Sequence, residues 1–195
     1  MMDEGIEKNI LDFFAEAGML KRVKRSGWWM TGACREESVA EHSFRCAVIG
    51  YTLARMEGAD PLRVLLMSLF NDIHEARTGD GHKVAHRYLD FRSAEKKAFR
   101  EQIGPLPSVI AEELNSVREE HDAQSTRESV IARDADILEC LVQAKEFLDE
   151  GSLKAEKFFE MAPGHLVTRS ARSLWEKVSS WDSSAWWEKL GKFER

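Results

Sequence analysis

Apolar residues recur at three- and four-residue spacing along almost the whole chain, and strand-like alternation is almost absent. Ile6, Ile10, Leu11, Phe13 and Phe14 predict a first amphipathic helix over residues 4–17, ended by Gly18. Ser38-Val39-Ala40-Glu41 has the form of a capping box, so a helix should begin at Ser38. Along it Ala40, Phe44, Ala47, Val48 and Tyr51 form one row, His42, Cys46, Ile49, Leu53 and Met56 a second, and Gly58 is the stop. Asp60-Pro61 starts the next helix, a cap followed by proline at the first helical position, and Leu62 to Phe70 continue it. Residues 81–90 read as a connection and residues 91–103 as a charged helix; Gly104-Pro105-Leu106-Pro107 is a break, with a helix from Ser108 to about His121. Ser125 or Thr126 caps a long helix from Arg127 to Glu150. Val130, Ile131, Leu138, Leu141 and Val142 make its main stripe, and Ala132, Asp136, Cys140, Ala144 and Phe147 a row of mostly small residues. Gly151-Ser152 ends it, shorter helices are expected over residues 153–160 and 165–179, and a tail from Trp181 to Phe193 carries Trp181, Trp186 and Trp187. That aromatic tail is expected to pack back onto the body or onto a second subunit. The pattern predicts an all-α, compact multi-helix bundle: a single domain over residues 1–195, with a core at about 5–150 and a helical Trp-rich extension over 151–195.

Composition narrows the functional classes. The chain has 195 residues, 43% of them hydrophobic, enough for a proper core. A net charge of −6 argues against wholesale nucleic-acid binding. Cys34, Cys46 and Cys140 are an odd, widely spaced set without a CxxC pair, so neither a disulfide framework nor a zinc ribbon is indicated, and a reducing compartment fits. The N-terminus lacks the basic start and apolar run of a signal peptide, and no stretch approaches the ~20 apolar residues of a membrane span. A soluble, cytoplasmic protein with no membrane partner is the expectation.

Leu65 to Asp80, LLMSLFNDIHEARTGD, is the chemically loaded stretch. An apolar helix runs straight into Asn71, Asp72, His74 and Glu75, and a Thr78-Gly79-Asp80 turn adds another carboxylate. Polar groups at the end of a buried helix are costly unless something pairs them. Asp72 and Glu75 share a helix face if the helix persists through them. His42 heads an apolar row, where a hydrogen-bonded core histidine and a metal ligand are both open readings. Periodicity does not choose between Asp134 and Asp136, and an acid in a buried row needs a partner. The basic run Lys21 to Arg25, followed by Ser26-Gly27-Trp28-Trp29, reads either as a solvated irregular turn with Trp anchors or as an anion clamp, arginine for phosphate and tryptophan as a wall. Imidazole plus carboxylates suits a divalent transition metal better than calcium. Together these pieces fit metal-assisted hydrolysis of a phosphate ester.

Read in order, Glu37-Ser38-Val39-Ala40-Glu41-His42-Ser43-Phe44-Arg45, then Asp72-Ile73-His74-Glu75-Ala76-Arg77-Thr78-Gly79-Asp80, then Arg133-Asp134-Ala135-Asp136-Ile137-Leu138-Glu139-Cys140, the chain resembles the HD-domain superfamily of metal-dependent phosphohydrolases, in its 5'-deoxynucleotidase branch. Arg25-Ser26-Gly27-Trp28 is similar to that branch's N-terminal Arg-x-Gly-Trp segment. The resemblance covers residues 5–150. It implies an all-α HD-domain bundle, a homodimer, a small-molecule nucleotide substrate, and one divalent transition metal ion (Mn, Co, Zn, Ni or Fe). It implies His42, Asp72 and Asp136 as metal ligands, Asn71 at the position of the remaining ligand, Glu75 as the catalytic carboxylate, and Arg25, Trp28 and Asp80 as substrate contacts. The family's paired histidine is Asn71 here, and an amide oxygen binds a borderline metal more weakly than imidazole does. That departure fits an introduced change that traps the site, a natural change that leaves a weakened enzyme, or a nucleotide-binding protein that has lost catalysis. His74 is the nearby residue that would substitute as a ligand. A purely structural helical module would instead need His42, Asp72 and Asp136 satisfied by ordinary hydrogen bonds.

Overall fold

The computed structural model describes residues 4–32, 37–161, 163–188 and 190–191, and among these it contains helices and turns but no strand. Cys34 and Phe193 lie outside the described residues. The helices are α1 (Glu4–Met19), α2 (Ser26–Thr31), α3 (Val39–Glu57), α4 (Pro61–Phe70), α5 (Glu75–Thr78), α6 (Phe91–Ile103), α7 (Ser108–Ala123), α8 (Arg127–Asp149), α9 (Glu156–Met161), α10 (Arg169–Val178) and α11 (Ala185–Glu188).

Local signals set most boundaries. Ser38 accepts from the Glu41 backbone N–H while the Glu41 carboxylate accepts from Ser38 N, so the expected capping box forms at the start of α3. Gly58 ends that helix at φ 68°, a left-handed conformation glycine adopts without Cβ strain. Asp60 accepts from Leu62 N and Arg63 N ahead of Pro61, and Thr126 rather than Ser125 caps α8.

Three expectations are corrected. α1 runs one residue past Gly18, to Met19. The basic segment is not irregular throughout: an isolated bridge between Lys24 and Ser38 is followed directly by the short helix α2. The helix carrying Leu65 onward breaks at Asn71, so Asp72 and Glu75 do not share a continuous helix face. The physical reason is Arg118 of α7, whose Nη1 donates to the Asn71 carbonyl at 2.6 Å. Residues 71–74 then form a tight turn, with Glu75 N donating to Asp72 O at 2.9 Å.

The core is built around α3, α4 and α8, which pack on one another. Leu53, Ala54, Val64, Met67, Ile131, Ala135, Leu138 and Leu141 fill their junction, and Leu166, Ala171 and Val178 from the C-terminal extension join the same cluster. A second cluster, Leu20, Val39, Ile73, Phe99, Ile103, Leu106 and Leu114, receives Ile10, Phe13 and Ala17 of α1. Asp134, 1% exposed, anchors the extension: its carboxylate accepts from Val167 N (2.9 Å) and Thr168 N (2.6 Å). Among the described residues no helix is long and apolar enough to cross a membrane.

Candidate metal centre

Capping fixes where α3 begins, and so places His42 in its first turn, buried and facing α8. The turn after α4 presents Asp72, and α8 presents Asp136 from its middle. The three meet at one atom. His42 Nε2 lies 3.1 Å from Asp136 Oδ1 and 3.4 Å from Asp72 Oδ2. Asp134, which periodicity left level with Asp136, belongs to the scaffold through its bonds to Val167 and Thr168.

The other ring nitrogen is fixed by a residue the sequence reading missed. Glu139 is 0% exposed, and its Oε2 lies 2.5 Å from His42 Nδ1. Such a contact holds the ring in the tautomer that leaves Nε2 open, the usual arrangement behind a metal-ligating histidine. Arg45 balances Glu139 through Nε at 2.8 Å, and also reaches Gln143 and, at 2.7 Å, Glu146. The available signal was Glu139 three residues after Asp136, an acid placed mid-helix among apolar neighbours. Glu37 completes the network: burial and the adjacent Glu139 push its carboxyl up to about 8.

Burial works against charge on both His42 and Asp72, and each overcomes it through its neighbours. The His42 pKa is raised well above its ordinary value by Cys46, Glu139 and Asp136 around it. The Asp72 carboxyl is held well below the usual carboxylate range by the His42 hydrogen bond and by the charges of His42 and Arg25. Glu75 goes the other way: burial, then the negative Asp72 and Asp80, push it up to about 10. Its Oε2 is buried and has no hydrogen-bond partner among the described residues.

Arg25 comes to the same place, Nη1 3.9 Å from Asp72 Oδ2 and Nη2 3.2 Å from Cys140 Sγ. Asp80 accepts from Ser26 N at 2.7 Å, which ties the loop after α5 to the segment carrying Arg25. Asn71 donates from Nδ2 to Asp72 Oδ1 at 2.7 Å. His74 turns elsewhere, its Nδ1 3.2 Å from Arg118 and its Nε2 3.9 Å from Glu95. Trp28 is a correction: expected as a substrate wall, it is 2% exposed, edge-on to Phe147 and against Phe158, with Nε1 donating to Glu37 at 2.9 Å. No face of its ring is left for a base.

The donor chemistry suits a divalent transition metal: one imidazole nitrogen, with a carboxylate from each of two other segments within 3.4 Å of it. Asp136 keeps the place accessible, its side chain 42% exposed.

Comparison with known proteins places the chain in a family. A family model described as "HD domain" matches residues 17–180, well beyond the expected limit at residue 150. The 5'-deoxynucleotidase HDDC2 of Dictyostelium discoideum is 29% identical over 170 residues, covering 80% of this chain and 89% of its own length. A 5'-deoxynucleotidase of Erwinia tasmaniensis is 30% identical over 154 residues, covering 72% of this chain and 75% of its own. Among solved structures, a conserved hypothetical protein from Pyrococcus furiosus superposes with a TM-score of 0.73 at 31% identity, over 88% of this chain and 99% of its own. A match over residues 17–180, which include His42, Asp72 and Asp136, makes this chain a member of the HD domain family.

Proposed function

We propose that the protein is a divalent-metal-dependent phosphohydrolase that removes the 5'-phosphate from nucleoside monophosphates, deoxy forms first. The observation that carries the reading is the convergence of Asp72 and Asp136 on His42 Nε2, with Arg25 beside them. The names of the Dictyostelium and Erwinia relatives supply the substrate class.

His42, Asp72 and Asp136 would hold the metal, with Asn71 supporting Asp72. A metal held there would make a bound water more acidic and polarise a phosphoryl oxygen. Arg25 binds the phosphate, exchanging its Cys140 and Asp72 contacts for a charge-assisted pair. Glu75 would orient the attacking water and, in its carboxylate form, take the proton; a cation held beside it would favour that form. Asp80 positions the Arg25 segment and lies beside the sugar end of the substrate. The whole chain works as one domain, in a reducing, cytoplasmic setting that keeps Cys46 and Cys140 as free thiols. A homodimer is supported by an exposed apolar row on α3, Phe44, Val48 and Tyr51.

The test is phosphate release from dAMP, dGMP, dCMP and dTMP with added Mn²⁺ or Co²⁺, in the protein as it stands and in Asn71→His. Turnover in either form, higher after Asn71→His, supports the assignment. Asn71 also favours a second reading, a nucleotide-binding protein with impaired or lost catalysis; tight dNMP binding with no turnover in both forms would establish it. Neither binding nor turnover would remove both.

A further inference from the structure

A third group lies as close to the open nitrogen of His42 as the aspartates do. Cys46 is one helical turn along α3, and its Sγ is 3.4 Å from His42 Nε2. Residues four apart share a helix face, the spacing by which a single helix offers two ligands to one metal. His42, Cys46 and Asp136 each offer a ligand atom within 4.8 Å of the others. A small cavity is lined by these three together with Asp72, Asn71, Ser68, His121 and Ala132; His121 does not join the ligand atoms that lie within 4.8 Å of one another. Ser68, 6% exposed, carries an Oγ that is buried with no hydrogen-bond partner among the described residues, so this wall has an unmet polar demand.

We propose that Cys46 is a ligand of the centre, a thiolate that takes over the place in the donor set which Asn71 fills poorly. The inference rests on the metal centre proposed above and adds a ligand to it. Bond lengths for tetrahedral nitrogen, oxygen and sulfur ligands imply separations of about 3.5 Å between nitrogen and sulfur and about 3.3 Å between nitrogen and oxygen. The separations from His42 Nε2 are 3.4 Å to Cys46, 3.4 Å to Asp72 and 3.1 Å to Asp136. Cys46 and Asp136 thus both stand at edge length from the open nitrogen, and with His42 they offer ligand atoms that all lie within 4.8 Å of one another. On binding, the thiol proton passes to solvent and the sulfur lone pair goes to the cation.

Cys140 is the competing thiol, grouped with His42 and Glu139. It is less suited: Arg25 Nη2 lies 3.2 Å from its sulfur, and Glu139 is already taken by His42 Nδ1 and Arg45. A thiolate in the set biases the centre toward softer, borderline ions, Zn²⁺ and Co²⁺, and away from Mn²⁺.

The test uses the full chain, stripped of metal and titrated with Co²⁺, with binding measured by equilibrium dialysis and coordination by absorption. The expected result is an intense near-ultraviolet thiolate-to-cobalt band, lost in Cys46→Ser and kept in Cys140→Ser. Cys46→Ser should weaken Zn²⁺ binding tenfold or more and Mn²⁺ binding much less. Circular dichroism and melting of Cys46→Ser and Cys46→Ala check that the fold survives. Zinc X-ray absorption on the wild type reads the same ligand directly, as one sulfur at about 2.3 Å. Bound Co²⁺ without the band, or a band that persists in Cys46→Ser, overturns the role of Cys46 and leaves the metal centre standing. No Co²⁺ bound at all overturns both.

Discussion

Replacing Glu139 by Gln separates the positioning of His42 from the chemistry around it. Glu139 meets two demands at once: Oε2 faces His42 Nδ1 at 2.5 Å and Oε1 accepts from Arg45 Nε at 2.8 Å. An amide of the same shape has one acceptor oxygen and one NH₂ group, so one partner must face a donor. If Arg45 keeps the oxygen, the His42 ring is free to turn or to change tautomer, and Nε2 is no longer reserved for the metal. Losing such a supporting contact typically lowers metal affinity by about 10–100-fold, or about 1.4–2.8 kcal/mol. One poorly satisfied buried polar group should also lower stability by about 1–3 kcal/mol, a Tm loss of about 3–10 °C at this chain length. The assay is competition for Zn²⁺ or Co²⁺ against a chromogenic chelator, with parallel melts in excess chelator. Arg45→Gln is the control: it breaks the Arg45–Glu139 pair but leaves the carboxylate on His42, so it should melt lower while changing metal affinity far less. Glu139→Gln with affinity within twofold of the wild type would refute the reasoning, because the buried carboxylate would then be packing rather than aiming the ring.

Three other outcomes follow from the same geometry. Glu75→Gln should abolish turnover while leaving Co²⁺ affinity within a few-fold; loss of the metal would show Glu75 to be a ligand. Glu37 has an ordinary carboxyl pKa of 4.5 and a folded one of about 8, so the folded state binds more protons between those values and its stability falls as pH rises through that window. At about 1.36 kcal/mol per pKa unit the penalty reaches at most about 5 kcal/mol, and Glu37→Gln should flatten the stability profile between pH 5 and 8 in chelator; an unchanged slope would place the titration elsewhere. Asp134→Ala leaves the amides of Val167 and Thr168 without their acceptor, and should cost about 2–4 kcal/mol, read as a Tm loss of about 5–15 °C. Unchanged melting would show that the C-terminal extension is not held there.

What the sequence made legible was local or periodic. Ser38, Gly58, Asp60 and Thr126 act on backbone groups within a few residues of themselves, so their effects can be read in order along the chain. The resemblance supplied His42, Asp72 and Asp136, which packing brings together. What escaped depended on distant partners. Nothing near Asn71 announces that Arg118, 47 residues later, will take its carbonyl and break the helix. Trp28 sits in a basic, glycine-containing segment that looks exposed, yet Phe147 and Phe158 bury it from the other end of the chain. Glu139 stood out only as an acid among apolar neighbours; its role depended on partners that lie on α3, more than 90 residues earlier.

Asp134 and Asp136 are two positions apart, about 200° around α8, so they grip opposite sides of one cylinder. The first is held by backbone amides of the C-terminal extension, and the second reaches His42. Their joint effect is to set the azimuth of α8, like a keyway on a shaft. A carboxylate about 6 Å from the axis moves about 1 Å when the helix rolls by 10°, a displacement large enough to spoil a reactive geometry. Residues 167 and 168 thereby acquire a say in where Asp136 points without contacting His42 or Asp72. Sequence changes in the extension would register as a detuned centre before they register as an unfolded protein.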